Sequence, residues 1–459
     1  MSRIRKRLKV YMEDLAPHRI IVFSFLGMIG AGTLLLRSPW SGAQGHLTGV
    51  EALFTAVSAV CVTGLTVIDI STELSGFGRW VVLILIQCGG LGIMTFSTFF
   101  VYLLGRRLSM RDREIIDTTL SYTQERNIGS LLIRVMGFVF MIEAIGAAAL
   151  TLRFHEYYPF DRAVYHGIFH SISAFCNAGF SLYARSFEGF RQDVWINIIL
   201  MALIVLGGLG FVVILDLWRG LISRKRALSF HAKVVLTVTF ILIFSGGILF
   251  WLVEQPHIFQ SFSTGESVLA ALFQSITART AGFNTLDIGL LTNTACMVLM
   301  FLMFIGAAPG SCGGGVKVTT AGILVSMLIS RIRGADEAQM FHRNVSRETF
   351  SKALVIIFGA LVLISAVFFG LLLTEGWNIS PQESRGHFLE LAFETVSAFG
   401  TVGLSMGVTR ELSTGGRLLI ILLMFAGRLG PLTLAVALSD PRMKRKIRYS
   451  YAKGEIMVG

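Results

Sequence analysis

The chain alternates between long apolar runs and short polar connections. Runs long enough to cross a bilayer, about 20 residues as a helix, begin near Ile20, Trp80, Leu131, Val194, Val234, Ala295, Ala353 and Leu418, and they predict eight membrane spans. Four further apolar stretches, too brief to span, begin at Phe54, Phe169, Phe273 and Phe393, each after one long run and before the next. Aligned, they read FTAVSAVCVTG, FHSISAFCNAG, FQSITARTAG and FETVSAFGTVG. Each has Phe, then Ser or Thr four residues on (Ser58, Ser173, Thr277, Ser397), then Ala, and ends on Gly64, Gly179, Gly282 or Gly403; the third is one residue shorter. A single Gly near a helix end is an ordinary C-cap. Four in register, each between two spans, make an internal repeat of span, half-helix, Gly loop and span, and such repeats flag a substrate path in membrane proteins.

The expected fold class is therefore an all-α integral membrane protein: four M1–P-loop–M2 repeats, eight transmembrane helices plus four re-entrant pore half-helices, around a central pseudo-fourfold pore. The repeats fall at 19–115, 128–222, 230–332 (with a broken inner helix) and 348–440, flanked by segments 1–18 and 441–459.

Composition agrees. The 459 residues are 54% hydrophobic and 15% charged, against about 25% charged in soluble domains, and mean hydropathy is +0.69. The net charge of +12 suggests nucleic acid until its location is read. Lys and Arg gather in the N-terminal head, in GRRLSMRDRE from Gly105, WRGLISRKR from Trp218, SRIRG from Ser330 and PRMKRKIR from Pro441. All fall on one side if the spans alternate. The positive-inside rule makes that side the cytoplasm, with both termini there, as in a multi-pass protein of the plasma (bacterial inner) membrane. The basic charge is a topology signal and needs no nucleic acid partner, only membrane lipid. Cys61, Cys88, Cys176, Cys296 and Cys312 show no Cys-x-x-Cys or mixed Cys/His pattern and read as buried free thiols.

A half-helix that enters the membrane and stops at Gly points its partial negative end inward, which favours a cation, and Gly permits positive φ. Four such loops about an axis can replace the water shell of a monovalent cation with carbonyl oxygens. A divalent ion would call for several carboxylates, and only the fourth half-helix carries an acid, Glu394. The expected K⁺ contacts are backbone carbonyls of Val62, Thr63, Asn177, Ala178, Thr280, Ala281, Thr401 and Val402, with Gly64, Gly179, Gly282 and Gly403 setting the loop geometry.

The loops VTGL at Val62, NAGF at Asn177, TAGF at Thr280 and TVGL at Thr401 resemble the filters of the Trk/Ktr/HKT superfamily of K⁺ transporters. The single span before the first loop is most similar to the membrane subunit of bacterial Ktr systems. This resemblance covers essentially the whole chain. It implies K⁺ as substrate, a pore through each subunit of a homodimer, a gating KtrA-like cytoplasmic ring that binds the nucleotide, no cofactor in this chain, and Na⁺ as activator. The loops lack the second Gly of TVGYG filters, which implies fewer ordered ion sites.

The sixth span is interrupted by APGSCGGGVK. Pro309 removes a donor and Gly310, Gly313, Gly314 and Gly315 disfavour helix, so an unwound loop is expected under the filter; it is not a P-loop, since Lys317 follows Val316 and precedes no Ser or Thr directly. The resemblance makes this loop a gate, with Lys317 toward the cytoplasm and tied to a carboxylate. Arg428, in the last span, must face protein or water; by resemblance it is a fixed charge just below the filter. Glu143 and His170 read as structural hydrogen-bonding groups. Arg279 is expected to brace the third loop by bonding carbonyls or Glu394. The glycines of GGLG at Gly89 and Gly207, and of GRLG at Gly427, are expected where inner helices cross.

Two rivals are weighed. A Na⁺-coupled alternating-access symporter also uses broken helices, but with inverted halves, whereas these four repeats share one orientation. An enzyme needs a nucleophile–base set or a metal motif. His155-Glu156 lacks a second His at zincin spacing and no Gly-x-Ser-x-Gly occurs.

Overall fold

The computed structural model describes residues 17–43, 45–92, 128–222, 228–376, 380–431 and 433–434. The basic segments at 1–16, from Gly105, around Arg224 and from Pro441 lie outside the described residues.

Each repeat contributes an outer helix, a half-helix and an inner helix. In repeat one these are α1 (Pro17–Leu36), α2 (Gly49–Val60) and α3 (Gly76–Gly90). Repeat two has α4 (Ile128–Phe154), α5 (Phe160–Phe175) and an inner helix split into α6 (Val194–Leu209) and α7 (Phe211–Ile222). Repeat three has α8 (Phe230–Glu254), α9 (Thr264–Thr277) and the pair α10 (Asn293–Phe304) and α11 (Val318–Ile332). Repeat four has α12 (Arg347–Gly376), α13 (Pro381–Gly400) and α14 (Thr414–Leu429). A two-residue hairpin, Gln339–Met340 with Arg343–Asn344, precedes α12.

Among the described residues the four outer helices are long and apolar enough to cross a membrane, and a fifth span is counted if α6 and α7 are one helix bent by 103°. That bend, at Gly210 with φ of 87°, is not foreseen by the hydropathy pattern. The second and eighth expected spans are described as helices only as far as Gly90 and Leu429.

The helix starts follow from local chemistry. Thr48 and Ser263 form capping boxes with Glu51 and Glu266. The inner helices begin at Ser75, Asp193, Thr292 and Ser413, each accepting from an amide in the first turn. Every one of these caps is also tied to the outer helix of its own repeat or the turn that follows it. The Ser75 amide donates to Ser41 O (2.9 Å), Arg153 donates to Asp193 (2.8 Å), and the amides of Thr292 and Ser413 donate to Glu254 and Glu375 (2.9 and 3.0 Å).

The four half-helices form the middle of the molecule. Their leading residues Phe54, Phe169, Phe273 and Phe393 are fully buried. The inner helix of each repeat also packs on the half-helix of the next: α3 on α5, α6 on α9, α10 on α13, and α14 back on α2. The chain thereby closes into a ring of four. Outward, Phe240, Phe244, Phe358 and Phe369 are each about half exposed or more, an apolar belt that water would not tolerate at this extent and lipid would.

Candidate permeation site

Each half-helix runs into its Gly loop by a backbone turn that reaches five residues back in repeats one, two and four and four residues back in the shorter third. The second loop residue donates its amide to the repeated Ser or Thr: Thr63 to Ser58 O, Ala178 to Ser173 O, Ala281 to Thr277 O and Val402 to Ser397 O, at 2.8–2.9 Å. The loop glycines have positive φ, 93° at Gly64, 70° at Gly179, 78° at Gly282 and 92° at Gly403. The first loop residue is left-handed as well: 56° at Val62 and Asn177, 74° at Thr280 and 50° at Thr401. Four non-glycine residues held in that sparsely populated region at one place mark a site that the surroundings over-determine.

The loops meet one another in cyclic order. A methyl added to Gly64 would lie 2.6 Å from Ala178 O, and one on Gly179 would lie 2.8 Å from Ala281 O. Gly282 faces Val402 O in the same way, and Gly403 faces Thr63 O, which closes the ring. Only hydrogen fits at these four positions. On the Gly side lies an outer funnel of about 430 Å³. Its wall includes the acids Asp69, Glu188 and Asp287, and the bases Arg185 and Arg410. Burial and the neighbouring Asp287 push the Glu188 carboxyl above its ordinary range.

The opposite side of the ring is covered by the chain between α10 and α11. Helix ends at Phe304 and resumes at Val318. The Gly314 amide donates to Thr401 Oγ1 (3.0 Å), and Gly313 packs so closely on Thr280 that a methyl there would lie 3.0 Å from its Cβ. Repeat two holds the loop from the side: Ala308 N donates to Gly208 O, Cys312 N to Gly207 O, and Phe211 N to Gly310 O, at 3.0–3.2 Å. Pro309 O abuts Gly210, and Gly315 packs on Gly306 and Gly400. Arg428 donates to Cys312 O of the loop and to Gly89 O of α3, with Gly90 O at 3.4 Å. Repeats two, three and four therefore hold one loop directly below the ring, and repeat one is joined to it through Arg428.

Comparison with known proteins places this architecture. Residues 10–445 match the family model for TrkH, a cation transport protein. The chain belongs to the TrkH family of cation transport proteins. It is similar to Ktr system potassium uptake protein B of Vibrio alginolyticus, 39% identical over 92% of this chain and 91% of the relative. It is also similar to potassium/sodium uptake protein NtpJ of Enterococcus hirae, 35% identical over 100% of this chain and 99% of the relative. The crystal structure of the potassium transporter TrkH from Vibrio parahaemolyticus shares the fold, with a TM-score of 0.70 over 93% of this chain and 85% of that one at 19% identity.

Three expectations are corrected. Lys317 is tied to no carboxylate among the described residues. It is the N-cap of α11, and its Nζ donates back to the loop carbonyls of Gly313 (2.7 Å) and Gly314 (3.3 Å). Arg279 bonds neither the loop carbonyls nor Glu394. It turns to Thr239 of α8, while Glu394 accepts from Thr409. The paired glycines do more than admit crossing inner helices. Gly89, Gly207 and Gly427 face the carbonyls of Val60, Phe175 and Phe399, so each inner helix lies on the end of its own half-helix. Glu143 accepts from Gln87 Nε2 (3.0 Å), and His170 Nε2 accepts from the Leu182 amide (3.1 Å).

The repeated hydroxyls carry a role that sequence reasoning missed. Ser58 and Ser397 accept from the amides of Gly64 and Gly403 (3.1 Å each). Ser173 and Thr277 donate to Phe180 O and Phe283 O, just past the Gly (2.8 and 2.6 Å). Their recurrence at one position was the available signal.

Proposed function

We propose that this protein carries K⁺ into the cell through the ring of loops, as a channel-like pore with one Gly per repeat, opened when the loop from Ile305 to Lys317 withdraws. The observation that carries this reading is the cyclic closure of four Gly loops backed by four half-helix ends. Such a ring presents backbone oxygen and partial negative charge to a dehydrated monovalent cation. The family and the similarity to potassium uptake proteins support K⁺ as the transported ion.

The finer parts belong to the same proposal. The protein works as a homodimer in the plasma (bacterial inner) membrane with both termini cytoplasmic. A KtrA-like nucleotide-binding ring moves the loop, and Na⁺ stimulates transport. The basic connections support the orientation.

The test is growth at low K⁺, and Rb⁺ uptake, in a host stripped of its own uptake systems, with and without a co-expressed cytoplasmic subunit, then Rb⁺ entry into vesicles bearing the purified protein. Rescue that needs the ring glycines supports the reading. Vesicles impermeable to both K⁺ and Rb⁺ in every gating condition would overturn it.

A further inference from the structure

Arg279 sets the third strand of the ring apart. It stands immediately before Thr280, where the other repeats carry Cys61, Cys176 and Gly400, so one of four otherwise similar positions holds a full charge. The side chain is 6% exposed. It runs away from the ring to α8, where it donates to Thr239 O (3.2 Å) and Thr239 Oγ1 (3.3 Å). Its Nε has no hydrogen-bond partner, and among the described residues no carboxylate pairs with it. Beside it lies a cavity of about 10 Å³ bounded by Ile204, Gly208 and Ile243, enough for one water and too small for a carboxylate-bearing ligand.

A guanidinium does not lose its proton in a protein. An uncompensated cation at membrane depth is costly and marks function by default. Its position gives the function a direction. Each half-helix brings about half a negative charge to the ring, and Arg279, just past the end of α9, opposes the share of the third. Neither of its bonds holds the ring, since both go outward to Thr239.

Resting on the pore reading above, we propose that Arg279 is an affinity-determining residue whose fixed charge weakens cation binding at the third strand. A pore conducts only if its ion is bound weakly enough to leave, and Arg279 keeps the site shallow. A unit charge about 10 Å from the ion, at an effective dielectric of about 20, changes occupancy roughly tenfold.

The experiment measures initial Rb⁺ uptake against Rb⁺ concentration in vesicles bearing the full chain. Arg279→Gln should lower KM about tenfold and lower the maximal rate with it, the split that separates tighter binding from simple damage. Arg279→Lys, which retains the charge, should keep the original KM. Thr239→Val, which removes one acceptor and leaves the charge, should keep it too. Should Arg279→Gln fail to fold, Thr239→Asp sets a carboxylate beside the guanidinium and should lower KM in the same way. An unchanged or raised KM in Arg279→Gln or Thr239→Asp overturns the proposal, as does Arg279→Lys behaving like Arg279→Gln. Unaltered protein that passes no Rb⁺ overturns the pore reading itself, a separate result.

Discussion

Ser58 and Ser397 each accept from the amide of a ring glycine, a contact that ties the turn of the loop back to its half-helix. Removing it leaves a donor without its partner, at a cost of about 1–3 kcal/mol where the group is buried. Ser58→Ala and Ser397→Ala should therefore fold with a lower melting temperature and pass Na⁺ more readily relative to K⁺; unchanged discrimination would show that the hydroxyls merely fill space. At the outer rim, Asp193 caps α6 and accepts from Arg153 and Tyr157. Burial pushes its carboxyl up, but the Ile196 amide, Arg153 and Tyr157 outweigh this and leave it below the usual carboxylate range. A pKa depressed in the folded state means the stabilisation is present above the unfolded value of about 4 and is lost as pH falls through the folded one. Asp193→Ala should cost about 1 kcal/mol from the cap. Its melting curve should converge on that of the unaltered protein in acid, with Asp193→Asn milder because Asn still caps.

The third repeat shows how one deleted residue reorganises an element. In the other three repeats, Gly89, Gly207 and Gly427 rest on the carbonyls of Val60, Phe175 and Phe399. The shortened third motif has one residue fewer, and Gly306, two residues past the end of α10, faces Gly314 O of the loop instead. The missing residue was visible in the aligned motifs, as was the unwinding signalled by Pro309 and its glycines. What the loop touches was not visible, because Thr401 and Arg428 are about ninety or more residues away in sequence and reach it only through the closed ring. The same limit explains the misreadings of Lys317 and Arg279: local sequence gives a charge but not its acceptor, and Lys317 meets loop carbonyls in place of an acid while Arg279 meets Thr239 in place of the loop carbonyls or Glu394. Arg428→Ala frees Cys312 O. Losing a charge-assisted bond of about 1.5–3 kcal/mol should shift the closed loop toward open by about tenfold or more. Rb⁺ flux in vesicles should rise, and lower or unchanged flux in folded protein would count against the loop as a gate.

At the scale of the whole molecule, the fourfold arrangement was readable because a motif of four fixed positions recurred between pairs of apolar runs. The order of closure was not, since it rests on each ring glycine facing a carbonyl of the neighbouring repeat. That order makes a prediction no single repeat makes. Gly179→Ala would press on Ala281 O and Gly282 at the joint of repeats two and three, and Gly403→Ala on Thr63 O and Gly64 at the joint of repeats four and one. The two substitutions share no joint and no neighbour, and independent sites add within about 0.5 kcal/mol. If the ring acts as one body, the first alanine already releases the cation from its matched set of carbonyls, and the second finds little left to undo. The loss of K⁺ over Na⁺ permeability in Gly179→Ala/Gly403→Ala should therefore fall well short of the sum of the single losses on a logarithmic scale. Additive losses would mean four loops that bind the ion separately, each answering only to its own half-helix.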